Sequence, residues 1–165
     1  MASAKITQNK VGDTLQVLVS GYIGEGAELF ELNFAGVKKV SIELNGVNYM
    51  NSVGVKNWIT WTTRFPQTLQ IELHHCPTLI VNQVNMVAGF LPNNGTVESL
   101  TAPMICQSCN REQNITLTRG KDYQYASVSK SNEIKLPTVA CPKCGKPMEL
   151  DVVEAKFFNF LKSIR

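Results

Sequence analysis

The chain has 165 residues, 44% of them hydrophobic and 18% charged, with a net charge of +3. That length holds one ordinary domain, or one with a small satellite, and the composition suits a packed core. No run approaches the ~18–20 apolar residues of a membrane span, and the opening MASAKITQNKVGD lacks the apolar centre of a signal peptide, so a cytoplasmic chain with no membrane partner is expected.

Lys5-Ile6-Thr7-Gln8 and Leu15-Gln16-Val17-Leu18-Val19 read as two strands joined by the Gly12-Asp13 turn. Residues 21–37 hold a short helix candidate, with Ala27, Phe30 and Phe34 apolar at i, i+3 and i+7, interrupted by Asn33 and Gly36. Val40, Ile42 and Leu44 then alternate with Ser41, Glu43 and Asn45, the period of a strand. At Met50-Asn51-Ser52 the period changes. Val55, Trp58, Ile59 and Thr62 fall at i, i+3, i+4 and i+7, the stripe of a helix buried on one side. Ser52 stands where a hydroxyl can cap the first turn, and Gly54 allows a tight turn or a close approach. Gln70-Ile71-Glu72-Leu73 is a further strand. Residues 77–90 form a helix with Ile80, Val84, Val87 and Ala88 inward, and Thr96-Val97-Glu98-Ser99-Leu100 follows the Asn93-Asn94-Gly95 turn as a last strand. Repeated strand–helix–strand crossovers predict an α/β fold, a parallel or mixed sheet with helices packed on it.

The strand Val40-Ser41-Ile42-Glu43-Leu44 and the turn Tyr49-Met50-Asn51-Ser52-Val53-Gly54-Val55 resemble the STAS domain, the anti-sigma-factor antagonist family. Its signature is a strand ending in Y/F-M-D-S-S/T-G-L-G before a helix. Val19-Ser20-Gly21-Tyr22-Ile23 is similar to the family's early strand, and the likeness spans roughly residues 5–100. The resemblance implies a non-catalytic regulatory or scaffolding protein that binds an anti-sigma-type or signalling kinase. In the family that kinase phosphorylates a hydroxyl in the turn and thereby releases its partner. A phosphate there would meet the free N–H groups and positive end of a helix. Here the aspartate is Asn51, one hydroxyl is replaced by Val53, and Lys56 stands at the second glycine position. Ser52 is thus either a phospho-acceptor or simply a helix cap, and the departures favour the cap. The expected partner surface is Asn51, Ser52, Gly54, Trp58 and Trp61.

A serine between strand and helix also invites a hydrolase reading. Met50 occupies a position where a nucleophile elbow needs glycine, and no acid has a clear claim to orient His74 or His75. No catalytic residue is therefore assigned. His74-His75-Cys76 is read as a strand end with a buried cysteine, because neighbours on an extended chain point to opposite sides and cannot easily share an ion.

Cys106-Gln107-Ser108-Cys109 and Cys141-Pro142-Lys143-Cys144 form two C-x2-C pairs. Each spacer lets two thiolates of one turn face the same ion, and two such turns complete a tetrahedral S4 site for one Zn²⁺. Asn110 and Gly145 follow the pairs, where the chain often needs positive φ. Between them Ile115-Thr116-Leu117-Thr118 and residues 123–128 alternate like strands around the Arg119-Gly120-Lys121 turn. This resembles a zinc ribbon; disulfides are disfavoured in a cytoplasmic chain. Four cysteines leave no open coordination position, so the metal should be structural, and a module of about 45 residues needs it in order to fold. Positive charge concentrates after residue 100, with ten Lys or Arg against six acids. Binding of nucleic acid or RNA polymerase through the ribbon, with Tyr123 and Tyr125 for stacking, is the alternative function.

From Asp151 to the end, Val153, Phe157, Phe160, Leu161 and Ile164 fall at helical spacing, behind an acidic cap with Glu154 three residues on. So apolar a face must pack. It either returns onto the first domain, forms a homodimer contact or fills a partner's groove. The expected layout is a STAS-like domain at 1–102, a zinc ribbon at 103–149 and a C-terminal amphipathic helix at 150–165.

Overall fold

The computed structural model describes residues 3–25 and 31–165, a mixed α/β chain. β1 (Lys5–Val11) and β2 (Thr14–Ile23) form an antiparallel hairpin. Gly12 turns it with a φ of +62°. β3 (Lys39–Met50), β4 (Gln70–His74) and β5 (Gly95–Val97) then add in parallel, giving a sheet ordered β1-β2-β3-β4-β5. The crossovers are α1 (Ser52–Thr63) and α2 (Thr78–Met86).

Alternation decides which way the sheet faces. Val40, Ile42 and Leu44 are fully buried, while Ser41 and Glu43 lie on the opposite, more open face. Beneath the buried face Trp58 stacks on Phe90, with centroids 5.3 Å apart, and donates its indole N–H to the Phe90 carbonyl at 2.9 Å. Trp61 meets Phe65 edge-on at 5.0 Å. α2 is shorter than expected because Phe90 must reach Trp58: the helix stops at Met86 and Gly89 turns the chain at a φ of +83°. Ile80 and Val81 face inward, and Ala88 is exposed rather than buried. In the early helix candidate, Ala27 and Phe30 lie outside the described residues. Residues 31–37 are non-helical, with Leu32 and Val37 buried and Phe34 tilted against Phe65.

The expected last strand of the first domain divides at Glu98. β5 stays in the first sheet, and β6 (Ser99–Ile105) starts a second one, ordered β10-β6-β7, with β7 (Glu112–Thr118) and β10 (Glu149–Leu150). Both expected domain boundaries therefore fall inside strands. The hairpin expected between 115–118 and 123–128 does not form, since β7 pairs with β6 instead. The reason is a tight turn: Asp122 donates its N–H to the Thr118 carbonyl, and its carboxylate accepts the Thr118 N–H at 2.8 Å. Only β8 (Tyr123–Gln124) extends beyond it, paired with β9 (Glu133–Ile134). Tyr123 and Tyr125 point inward. The Tyr123 hydroxyl donates to the Val97 carbonyl at 2.7 Å, and the Tyr125 hydroxyl accepts the Val97 N–H at 2.8 Å. Two phenols thus satisfy the backbone along the edge of β5.

The terminal helix is also different. In place of one amphipathic run there is a single turn, α3 (Glu154–Phe157), and a 3-10 turn at Asn159–Lys162. Asp151 does not cap it; its N–H continues the β10 pairing to the Pro103 carbonyl at 2.8 Å, and Val153 holds the cap position without a side-chain bond. Breaking the helix at Phe158 lets Phe157, Phe158, Phe160 and Leu161 all be buried, whereas one straight helix would have turned Phe158 outward; Val153 and Ile164 stay exposed. The break adds the burial of Phe158, worth about 1.5–3 kcal/mol for a large apolar side chain. The segment returns onto α2, where the Asn85 amide clamps it. Its Nδ2 donates to the Phe157 carbonyl and its Oδ1 accepts the Phe160 N–H, both at 2.8 Å.

Candidate metal centre and strand–helix corner

Beyond the main core, the second sheet ends in a small apolar cluster of Met104, Cys106, Cys141 and Met148. The two cysteine turns are built alike. Cys106 closes the β6–β7 turn by donating its N–H to the Arg111 carbonyl and accepting the Asn110 N–H, both at 2.8 Å. Cys141 repeats this with Lys146 and Gly145 at the same distance. Asn110 and Gly145 have φ values of +58° and +74°, as the spacing predicts.

The four Sγ atoms of Cys106, Cys109, Cys141 and Cys144 all lie within 4.8 Å of one another, with Cys106–Cys144 at 3.4 Å and Cys109–Cys141 at 3.5 Å. A tetrahedral metal–thiolate centre with bonds of about 2.3 Å separates its sulfurs by about 3.8 Å. The donor set thus fits a single ion and is consistent with zinc. Backbone N–H groups already aim at the sulfurs. Burial alone would raise the Cys141 thiol, but the Cys144 and Lys143 amides and the sulfurs of Cys109 and Cys106 bring it down to about 6. The Cys106 thiol is likewise lowered, chiefly by the Cys109 amide. At Cys109 the Arg111 amide favours the thiolate, yet burial and the three neighbouring sulfurs prevail and push it up to about 11. Thiolates packed this closely repel one another, and a cation among them would offset that repulsion.

The second site is the corner between β3 and α1. Asn51, not Ser52, caps the helix: its Oδ1 accepts the Gly54 N–H at 2.8 Å, and its Nδ2 donates to the Tyr22 hydroxyl at 2.7 Å. An asparagine serves here because it offers both an acceptor and a donor. Ser52 is the first helical residue and is exposed. Gly54 is no contact surface either. A Cβ there would lie 1.9 Å from the Ile23 carbonyl oxygen, so glycine is what lets the end of β2 pass across the helix. Trp58 and Trp61, expected to face a partner, are 0% and 4% exposed and form the centre of the core. Helical spacing distinguishes a buried face from a wet one but not which of two apolar neighbours lies at the rim. The outward residues at the corner are Tyr49, Ser52, Val53 and Lys56, with Tyr49 stacked on Tyr22 at 5.2 Å. The clue missed in the sequence was Val53 itself, an apolar residue off the buried stripe.

Each histidine has an acid after all. His74 Nε2 lies 3.1 Å from Glu72 Oε2, and His75 Nδ1 lies 2.6 Å from Glu43 Oε2. His75 reaches Glu43 because its φ is +48°, which breaks the strand alternation. Cys76 is fully buried, and burial pushes its thiol well up. Among the described residues the four-cysteine group is the one cluster with metal-ligand geometry, and no helix is long and apolar enough to cross a membrane.

No protein-family model, curated protein or solved structure matches the chain.

Proposed function

We propose that this chain is a non-catalytic protein-binding module of the STAS type, whose second sheet carries one structural zinc ion in a ribbon-like tip. Its partner is a signalling protein of the anti-sigma kinase class. The observation that carries this reading is the corner. Its polar framework is internally satisfied, since Asn51 holds Tyr22 and Gly54 while Asn57 donates to the Gly24 carbonyl. Among the described residues, the outward Ser52, Val53 and Lys56 have no side-chain part in this framework, and the exposed Tyr49 lies beside them, stacked on Tyr22. A hairpin followed by three parallel strands, with the Y-M-N-S-V-G turn at the end of the third strand, supports the family assignment. Ser52 is exposed in the first turn of α1, which supports a reading in which it is modified from solvent. The non-catalytic reading rests on the histidines, which are held by glutamates and not by Ser52. Four sulfur donors leave a bound zinc no open position, which makes its role structural.

Binding of nucleic acid loses its stacking residues, because Tyr123 and Tyr125 are each 3% exposed. The experiment is an affinity capture with zinc-loaded protein, the bound polypeptide being identified by mass spectrometry. Wild type should retain a kinase-type partner in raised salt, Val53→Asp and Ser52→Glu should lose it, and Leu18→Lys on the open sheet face should keep it. Loss with Leu18→Lys and retention with Val53→Asp would move the interface elsewhere.

A further inference from the structure

The four cysteines are not equally exposed. Cys106 ends the seven-pair β6–β7 ladder at 0% exposure, Cys141 is 2% exposed, and Cys109 is half-buried. Cys144 is exposed, and Lys143 and Lys146 flank it in the chain. Its Sγ also lies 3.4 Å from that of Cys106, across the cluster rather than within its own C-x2-C turn. Taking the metal reading above as given, we infer that Cys144 is the modification site of the cluster, the sulfur that peroxide and soft electrophiles reach first, with Cys106 as the sulfur that resolves it.

The chemistry balances without a further reagent. The Cys144 sulfur attacks one oxygen of hydrogen peroxide and the O–O bond breaks. The sulfur is oxidised by two electrons to a sulfenic acid, and the second oxygen takes a proton and leaves as water. Cys106 Sγ then attacks the sulfenic sulfur, the S–O bond breaks, and the departing hydroxide is protonated to water as the S–S bond forms. Two thiolates, one peroxide and two protons give one disulfide and two waters. Cys109 and Cys141 alone cannot hold the ion, so it leaves.

The test uses the full chain loaded with zinc, its metal content measured first. A limiting amount of N-ethylmaleimide is added and labelling is mapped by mass spectrometry; cleavage after Lys143 separates Cys141 from Cys144. Cys144 should be labelled about tenfold faster than any other cysteine, with zinc release following at the same rate. A parallel sample given hydrogen peroxide should yield the Cys106–Cys144 disulfide. Labelling of Cys109 first, equal rates at all four, or disulfides confined to each C-x2-C turn would overturn the inference while leaving the metal centre intact. A purified protein that holds no zinc would instead overturn the metal reading, and this proposal with it.

Discussion

The five-stranded sheet and the cysteine tip are held by different forces. In the sheet, Val40, Ile42, Leu44, Ile71 and Leu73 are fully buried, and their cluster runs on through Leu100, Leu117, Tyr123, Tyr125 and the C-terminal phenylalanines. In the tip, two methionines and two cysteines make up the whole buried group. Apolar burial is additive and needs no ligand. Four close thiols repel one another once ionised, and a single cation among them would relieve that repulsion. The division between these regions does not follow the chain's apparent modules. Tyr123 and Tyr125 lie between the cysteine pairs, yet they belong to the sheet's core and close its β5 edge.

The largest effect should come from removing one sulfur. Cys106→Ser should abolish stoichiometric zinc binding after dialysis against a chelator, as metal analysis would register, forfeiting a large share of the roughly 10 kcal/mol or more that a complete four-ligand site supplies. The circular dichroism of the sheet should persist. Next is Gly54→Val, whose side chain would collide with the Ile23 carbonyl. A loss of about 4 kcal/mol or more is expected in urea unfolding, a blow to the sheet that leaves metal affinity of the folded fraction unchanged. Asn85→Ala removes both clamps on the closing segment and should cost about 2 kcal/mol, with faster amide exchange at Phe160. The smallest effects lie at the cap of α1. Asn51→Ala should cost about 1 kcal/mol through the lost cap, and Ser52→Ala under about 0.5 kcal/mol, because Ser52 does not cap. An equal loss for both serine and asparagine variants in thermal denaturation would contradict that assignment.

Much of this was legible in the residues. Period-two alternation marked β3 and β4, the change of period at Met50 marked the start of α1, and the spacing of Cys106, Cys109, Cys141 and Cys144 marked one S4 cluster. Asn110 and Gly145 were legible too, because few residues tolerate their backbone conformation. Features set by distant contacts were not. The terminal segment has a good helical pattern, yet burying Phe158 together with Phe157 and Phe160 required a break, and only the surface offered by α2 dictates that. His75 pairs with Glu43 through a left-handed φ that no local pattern announces. Helical spacing already put Trp58 on the buried stripe; the expectation of a partner surface at Trp58 and Trp61 fails because Phe90 comes back to stack on Trp58 and both side chains are enclosed.

Hydrogen exchange with mass spectrometry, run on zinc-loaded protein and again after chelation, tests the separation of the two regions most directly. Chelation should erase protection in residues 104–111 and 139–150 while strands β3 and β4 keep theirs at the level of global unfolding. Equal loss of protection in the tip and in those two strands would show that the metal holds the whole molecule, and would contradict the account.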